Sequence, residues 1–185
     1  MGCTGPKQLQ QQSDINAEFT KIALSSEQIH APSGDMSARL PSTWVMLDPE
    51  KLESPQVFAM ACNPEYTLSL IFSEVQLDNT AKTILGRDGL RGLCDASFQR
   101  RLKRSNGRAE MLGDIEEFAI GKKRFGAFTY TTDSMQTLTR IAVFSTSTHI
   151  YECTITHLAF RERELPSPKL LQTVHQIILG SIEGQ

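Results

Sequence analysis

Motifs that carry chemistry are what this chain has least of. Its four cysteines, Cys3, Cys62, Cys94 and Cys153, form no CxxC and no Cys/His cluster with zinc-ligand spacing, so structural metal and thioredoxin-like redox chemistry have no support. There is no GxxxxGK followed by Ser or Thr and no GxGxxG, which removes the usual basis for nucleotide binding; no cofactor is implied. No apolar run reaches the roughly 18 to 20 residues that span a bilayer, and no charged start leads into an apolar core as in a signal peptide. A basic surplus is missing as well: 19 Lys and Arg stand against 21 Asp and Glu, a net charge of -2. Nucleic-acid affinity rests on many phosphate-neutralising cations, so no nucleic acid is expected as partner.

What is present has the texture of an ordinary folded domain. The 185 residues are 39% hydrophobic and 22% charged, the balance of a globular chain, and a domain of this size buries roughly 70% of the surface its unfolded form exposes. Residues 1–33 are rich in Gln, Ser, Pro and Gly, and "KQLQQQSD" lacks an apolar stripe, so they read as a flexible N-terminal tether. Within "AEFTKIALSSEQIHAPSG" a short helical turn or a first edge strand is conceivable. Residues 34–185 read as a single domain.

Inside that domain "MSARLPSTWVML" predicts two short strands bent apart at Pro41, and "QVFAMAC" and "TLSLIFSEVQL" predict two more around the turn residues Asn63 and Pro64. Leu68, Leu70 and Phe72 alternate with Thr67, Ser69 and Ile71, the period of a half-buried strand. The period then becomes helical. Asn79 is positioned to cap a first turn through Ala81, Ile84 and Leu85; "GRDG" interrupts; Asp88 caps a second helix with Leu90, Leu93, Cys94, Phe98 and Leu102 on one face. "SNG" at 105–107 stops it. From Glu110 to His157 four runs, "EMLGDIEEFAI", "KRFGAFTYTT", "TLTRIAVFST" and "HIYECTITH", predict successive antiparallel strands. A last helix opens with Ser167 as N-cap and Pro168 at its first position, with Leu170, Leu171, Val174, Ile177 and Ile178 on one face. Strands, a helix, uninterrupted strands and a closing helix give an α+β fold, an antiparallel β-sheet covered by helices.

This order resembles the PsbP-like family, an α/β/α sandwich that also includes the Mog-type proteins that bind the GTPase Ran. The resemblance runs from about Met36 to Ile182 and is carried by "ARLPSTWVML", "NPEYTLSLIF", "IGKKRFGAFTYTT", "HIYECTIT" and "LLQTVHQIILGSI". It implies a sandwich fold and a role in binding or assembly.

Few residues stand out as candidate sites. Arg100, Arg101, Lys103, Arg104 and Arg108 close the middle helix, and Lys122, Lys123 and Arg124 sit at a hairpin turn; together they are a possible basic interaction patch for acidic partners or anionic lipid. The same residues also suit a helix C-terminus and an exposed turn. His149 and His157 bracket a strand roughly 26 Å long at ordinary strand rise and do not share a metal. His30 and His175 are isolated. Cys62, Cys94 and Cys153 lie in apolar patterns and read as buried, inert thiols. Asp114, Glu116 and Glu117 read as the solvent face of an edge strand, with a carboxylate pair for acid–base work as the weaker alternative. Trp44 reads as a core anchor, with a ligand-cleft wall as the alternative.

Cys3 offers the one specific address. N-myristoylation at Gly2 wants Ser or Thr at position 6, where Pro6 stands. A bacterial lipoprotein begins its mature chain at a lipid-bearing cysteine and continues through a soft tether, and "CTGPKQLQQQSD" has that look; on this expectation Met1 and Gly2 would stand in place of a removed signal peptide. The expectation is a non-enzymatic binding or assembly protein, anchored by lipid on Cys3 to a membrane and displayed outside the cytoplasm, with an unnamed protein partner. The alternatives are a cytoplasmic adaptor for a partner such as a GTPase or secretion component, with Cys3 incidental, and a small-ligand carrier using a cleft between sheet and helix.

Overall fold

A computed structural model of the chain describes residues 22–48, 54–76, 78–132, 137–157 and 168–184. Cys3 and Ser167 lie outside the described residues. The chain opens with a hairpin, β1 (Leu24–His30) and β2 (Met36–Pro41). Its turn is closed by the Ala31 amide donating to the Met36 carbonyl at 2.9 Å, with Gly34 at φ 76. The turn at Pro41 then sends the chain into a different sheet, as β3 (Val45–Leu47), β4 (Val57–Cys62) and β5 (Leu68–Val75). Asn63 builds the β4–β5 loop: its side-chain carbonyl accepts from the amides of Thr67 at 2.8 Å and Leu68 at 2.7 Å. Helix α1 (Asn79–Arg104) follows, then β6 (Glu110–Met111), β7 (Glu116–Ile120), β8 (Lys123–Thr131), β9 (Thr139–Ser145), β10 (Ile150–His157), helix α2 (Pro168–Gly180) and β11 (Glu183–Gly184).

Two antiparallel sheets result. The larger runs β3-β4-β5-β10-β9-β8-β6, with β7 also on the outer edge of β8; the smaller runs β1-β2-β11. Alternation decides what each face of the larger sheet buries. Phe128, Ile141, Val143 and Ile150 face α1 and meet Leu90, Leu93, Cys94 and Phe98. Leu70, Phe72, Phe125, Phe144, Tyr151 and Ile155 face the other way, against Leu171, Val174 and Ile178 of α2 and Met36 and Ala38 of the smaller sheet. The fold is an α+β sandwich with both faces of the large sheet covered. Gly126 lets α1 lie close on β8: a Cβ there would meet the Cys94 sulfur at 2.8 Å and the Leu90 carbonyl oxygen at 3.1 Å.

Several sequence expectations change. Residues 24–30 fall within the stretch read as a tether, and they form the first edge strand that is the alternative there, pairing with β2 and packing Ile29 on the core. The alternation there is broken by Ser25, Ser26 and Glu27, which hides a strand whose register slips between Leu24 and Gln28. The middle helices form one run kinked at Gly89 (φ 64, ψ -151). Its cap is Asp78, which accepts from the Ala81 amide at 2.7 Å, rather than Asn79, and the Asp88 carboxylate takes the Arg87 guanidinium instead of capping. "EMLGDIEEFAI" is two strands because Gly113, at φ 78, breaks the extended run; this leaves Asp114 outside β7.

Register also distinguishes the two ends of the sandwich. At the hairpin end, Val75 is level with Ile150 and Ser145, beside the β7–β8 turn and the β1–β2 turn. At the opposite end Val45, Cys62, Ser69, Thr156, Thr139 and Tyr130 lie in register across the sheet, with Glu110 beside Thr131. Helix α1 starts just after Val75 and finishes just before Glu110, so it runs from the hairpin end to the opposite end.

Candidate functional site

The most concentrated polar chemistry lies at the hairpin end. Asp35, placed by the β1–β2 turn, reaches the β9–β10 hairpin and accepts from Ser33 Oγ at 2.6 Å, Thr148 Oγ1 at 2.7 Å, and the Thr146 and Tyr151 hydroxyls. His149 Nδ1 stands 2.9 Å from the same carboxylate. Burial alone would raise the Asp35 carboxyl, but the bonds from Ser33, Thr146, Tyr151 and Thr148 outweigh it and hold it far below the ordinary value of 3.8. Burial, and then the bond to Asp35, push the Tyr151 hydroxyl the other way, well above 10.0. This carboxylate is saturated with donors and ties the small sheet to the large one. Beside it is a cleft of about 220 Å³ lined by Lys123, Arg124, Phe144, Thr146 and Ile182.

A second network lies under α1. Glu152 of β10 is buried and accepts from Ser97 Oγ at 2.7 Å, Arg101 at 2.7 Å and Arg100 at 3.0 Å. Burial raises its carboxyl, and Arg101, Ser97 and Arg100 together bring it below its ordinary value. A third lies under α2, where buried Arg140 donates to Glu116 at 2.9 Å and to Thr129 Oγ1 at 3.2 Å, and Gln172 donates to the same carboxylate at 3.3 Å. His175 is buried beside it, its nitrogens without a hydrogen bond of ordinary geometry and the Cys153 backbone offering at most a weak one. Burial and then the Arg140 charge lower this imidazole to about 3, so it is neutral.

The basic residues singled out from sequence do not gather into one surface. Arg100 and Arg101 are drawn onto Glu152, while Lys103, Arg104 and Arg108 stay exposed at the end of α1. Lys122 is exposed at the β7–β8 turn, Lys123 donates to the Ile182 carbonyl at 2.5 Å, and Arg124 pairs with Glu117 at 3.2 Å. The two groups sit at opposite ends of β8, whose nine residues put them roughly 26 Å apart. Cys62, Cys94 and Cys153 are buried and unbridged. Burial pushes the Cys94 thiol up to about 12 and the Cys153 thiol well above 9.0. Trp44 packs half-buried against the core. Among the described residues no group of His, Cys, Asp and Glu is arranged to hold a metal, and no helix is long and apolar enough to cross a membrane.

Two solved structures share this arrangement across nearly the whole chain. Cyanobacterial PsbP (CyanoP) from Synechocystis sp. PCC 6803 superposes with a TM-score of 0.60 at 16% identity, covering 89% of this chain and 94% of that one. The Saccharomyces cerevisiae Ran-binding protein Mog1p superposes with a TM-score of 0.55 at 12% identity, covering 88% and 96%. The fold is PsbP/Mog1-like. No family model and no curated protein matches the chain by sequence. At these identities the PsbP/Mog1-like likeness is one of architecture, so the Asp35, Glu152 and Arg140 networks are read from this chain alone. Sequence reasoning missed all three. Their partners lie far apart in the chain, and the one local signal was the hydroxyl run Ser145, Thr146, Ser147 and Thr148.

Proposed function

We propose that the protein is a non-enzymatic binding or assembly protein, its PsbP/Mog1-like domain held at a membrane by lipid on Cys3 and displayed outside the cytoplasm to a protein partner. The observation that carries the reading is that, among the described residues, the buried thiols and the best-connected carboxylates and guanidinium are engaged inside the fold. The thiols of Cys62, Cys94 and Cys153 are buried, those of Cys94 and Cys153 are also raised, Asp35 is saturated, and Glu152 and Arg140 serve as internal ion pairs. Catalysis by a nucleophile needs the opposite, an accessible group poised by a base. The outer surface is then what remains for recognition, and "CTGPKQLQQQSD" supplies the address. Expression of the full-length gene in its host with a clickable fatty acid should label the protein at the membrane, and Cys3→Ser should abolish the label. Unlabelled protein in the soluble fraction would remove the anchor.

A second reading, a cytoplasmic adaptor with Cys3 incidental, is favoured by the likeness to a Ran-binding protein; a stable cytosolic complex recovered after fractionation would select it. The carrier reading fits less well, because side chains fill both sheet-to-helix interfaces and the clefts lie at the hairpin end and at the first turns of α1.

A further inference from the structure

We propose that the end of the sandwich opposite the hairpins is a docking pole for an anionic bilayer surface, formed by Arg100, Lys103, Arg104 and Arg108. Its physiological meaning rests on the membrane reading above, although its surface chemistry does not. Residues 100–108 hold five cations and no acid, whereas the whole chain is at -2, so with these five set aside the remainder carries -7. Such a charge distribution orients a molecule at a negative surface, its acidic bulk turned away. Glu152 takes up part of this charge: it holds Arg101, whose side chain is 20% exposed, and touches Arg100, which remains 47% exposed. Lys103 and Arg104 are exposed, and Arg108 is exposed with its guanidinium donating only to the Ser105 carbonyl at 3.1 Å.

Register supplies the second argument. The Ala23 carbonyl accepts from the Ser42 amide at 2.8 Å, one turn before Val45, which pairs with Cys62 at this same end. The residues that lead back to Cys3 therefore join the fold at the end where α1 finishes. A lipid on Cys3 would draw toward the bilayer the end that carries these exposed cations. At the hairpin end Lys122 is exposed, but Lys123 is held by the Ile182 carbonyl and Arg124 by Glu117, so fewer cations stand free there. A bilayer suits the pole better than an acidic protein, because long flexible side chains of one sign need no matched geometry on a continuous charged plane. Each basic residue near such a surface contributes roughly fivefold in affinity.

The test uses the full chain carrying Cys3→Ser, so that no lipid contributes, sedimented with vesicles of phosphatidylcholine alone or mixed with phosphatidylglycerol. Binding should require phosphatidylglycerol and weaken as salt is added. Lys103→Gln with Arg104→Gln and Arg108→Gln should lower it by roughly a hundredfold. Lys122→Gln with Arg124→Gln should change it little, far-UV circular dichroism confirming that both variants fold. Binding indifferent to phosphatidylglycerol, no binding at low salt, or equal loss in the two variants overturns the proposal. So does attachment through these cations to an acidic protein in preference to the vesicles. Vesicle binding without fatty-acid labelling would sink the anchor alone; labelling without vesicle binding would sink this pole alone.

Discussion

Removing the Asp35 carboxylate leaves the Ser33, Thr146, Thr148 and Tyr151 hydroxyls and the His149 imidazole without their common partner. The Tyr151 ring is buried at the hairpin end, its hydroxyl keeps only Ser33 Oγ at 2.7 Å, and the loss of a buried hydrogen-bond partner costs about 1–3 kcal/mol. Asp35→Ala should therefore destabilise the fold by roughly 3 kcal/mol at neutral pH, measured by urea denaturation. Because the folded carboxyl is held below its ordinary value of 3.8, its contribution is complete above that value and is lost as pH falls below it. The gap between wild type and variant should be constant from neutral pH down to about 4 and then narrow on further acidification; a gap that widens in acid would refute the assignment. None of this was legible locally. Asp35 sits in "SGDMS", an ordinary turn, and its hairpin partners lie more than a hundred positions on, in "STSTHIY". His175 was hidden for the opposite reason: it occupies an apolar helical stripe, where one polar residue does not disturb the period.

Elements were more legible than sites because their signals are local and repeat. The helical spacing through Leu90, Leu93, Cys94 and Phe98, the alternation of Leu68, Leu70 and Phe72, and Pro168 at a helix start all stand as expected. What failed depended on a single backbone conformation or on pairing at long range. Gly113 splits one expected strand into two, and β1 and β11 become strands only because β2 lies between them. The contact between α1 and β8 is likewise set by a residue without periodic signal. Gly126→Ala would push a methyl into the Cys94 sulfur and the Leu90 carbonyl; the carbonyl belongs to the helix backbone and cannot rotate away. The helix must lift, at a cost of about 1–3 kcal/mol as for other overpacked contacts. Lifting would also stretch the bonds from Ser97 and Arg101 to Glu152. Faster hydrogen exchange across residues 90–104 should accompany the loss in thermal stability, and a fully stable variant would mean that α1 does not rest on Gly126 as described.

For the molecule as a whole, the fold and the proposed address meet in the cysteines. Cys62, Cys94 and Cys153 come from β4, α1 and β10, and all three are buried. Thiolate is the reactive form, so a thiol both buried and raised, as Cys94 and Cys153 are, reacts with disulfide reagents only when the domain opens. Cys3 stands about twenty residues ahead of the first described strand, and on the proposed reading its sulfur is the one that a lipid would block. Protein made without lipid should therefore show one fast-reacting thiol when native and all four after guanidinium unfolding. Protein extracted from membranes should show none and then three. The pattern has two independent ways to fail. A fast thiol in membrane-extracted protein means that Cys3 is free and the anchor lies elsewhere, whereas a second fast thiol in unlipidated native protein means that one of the three core cysteines is open to solvent.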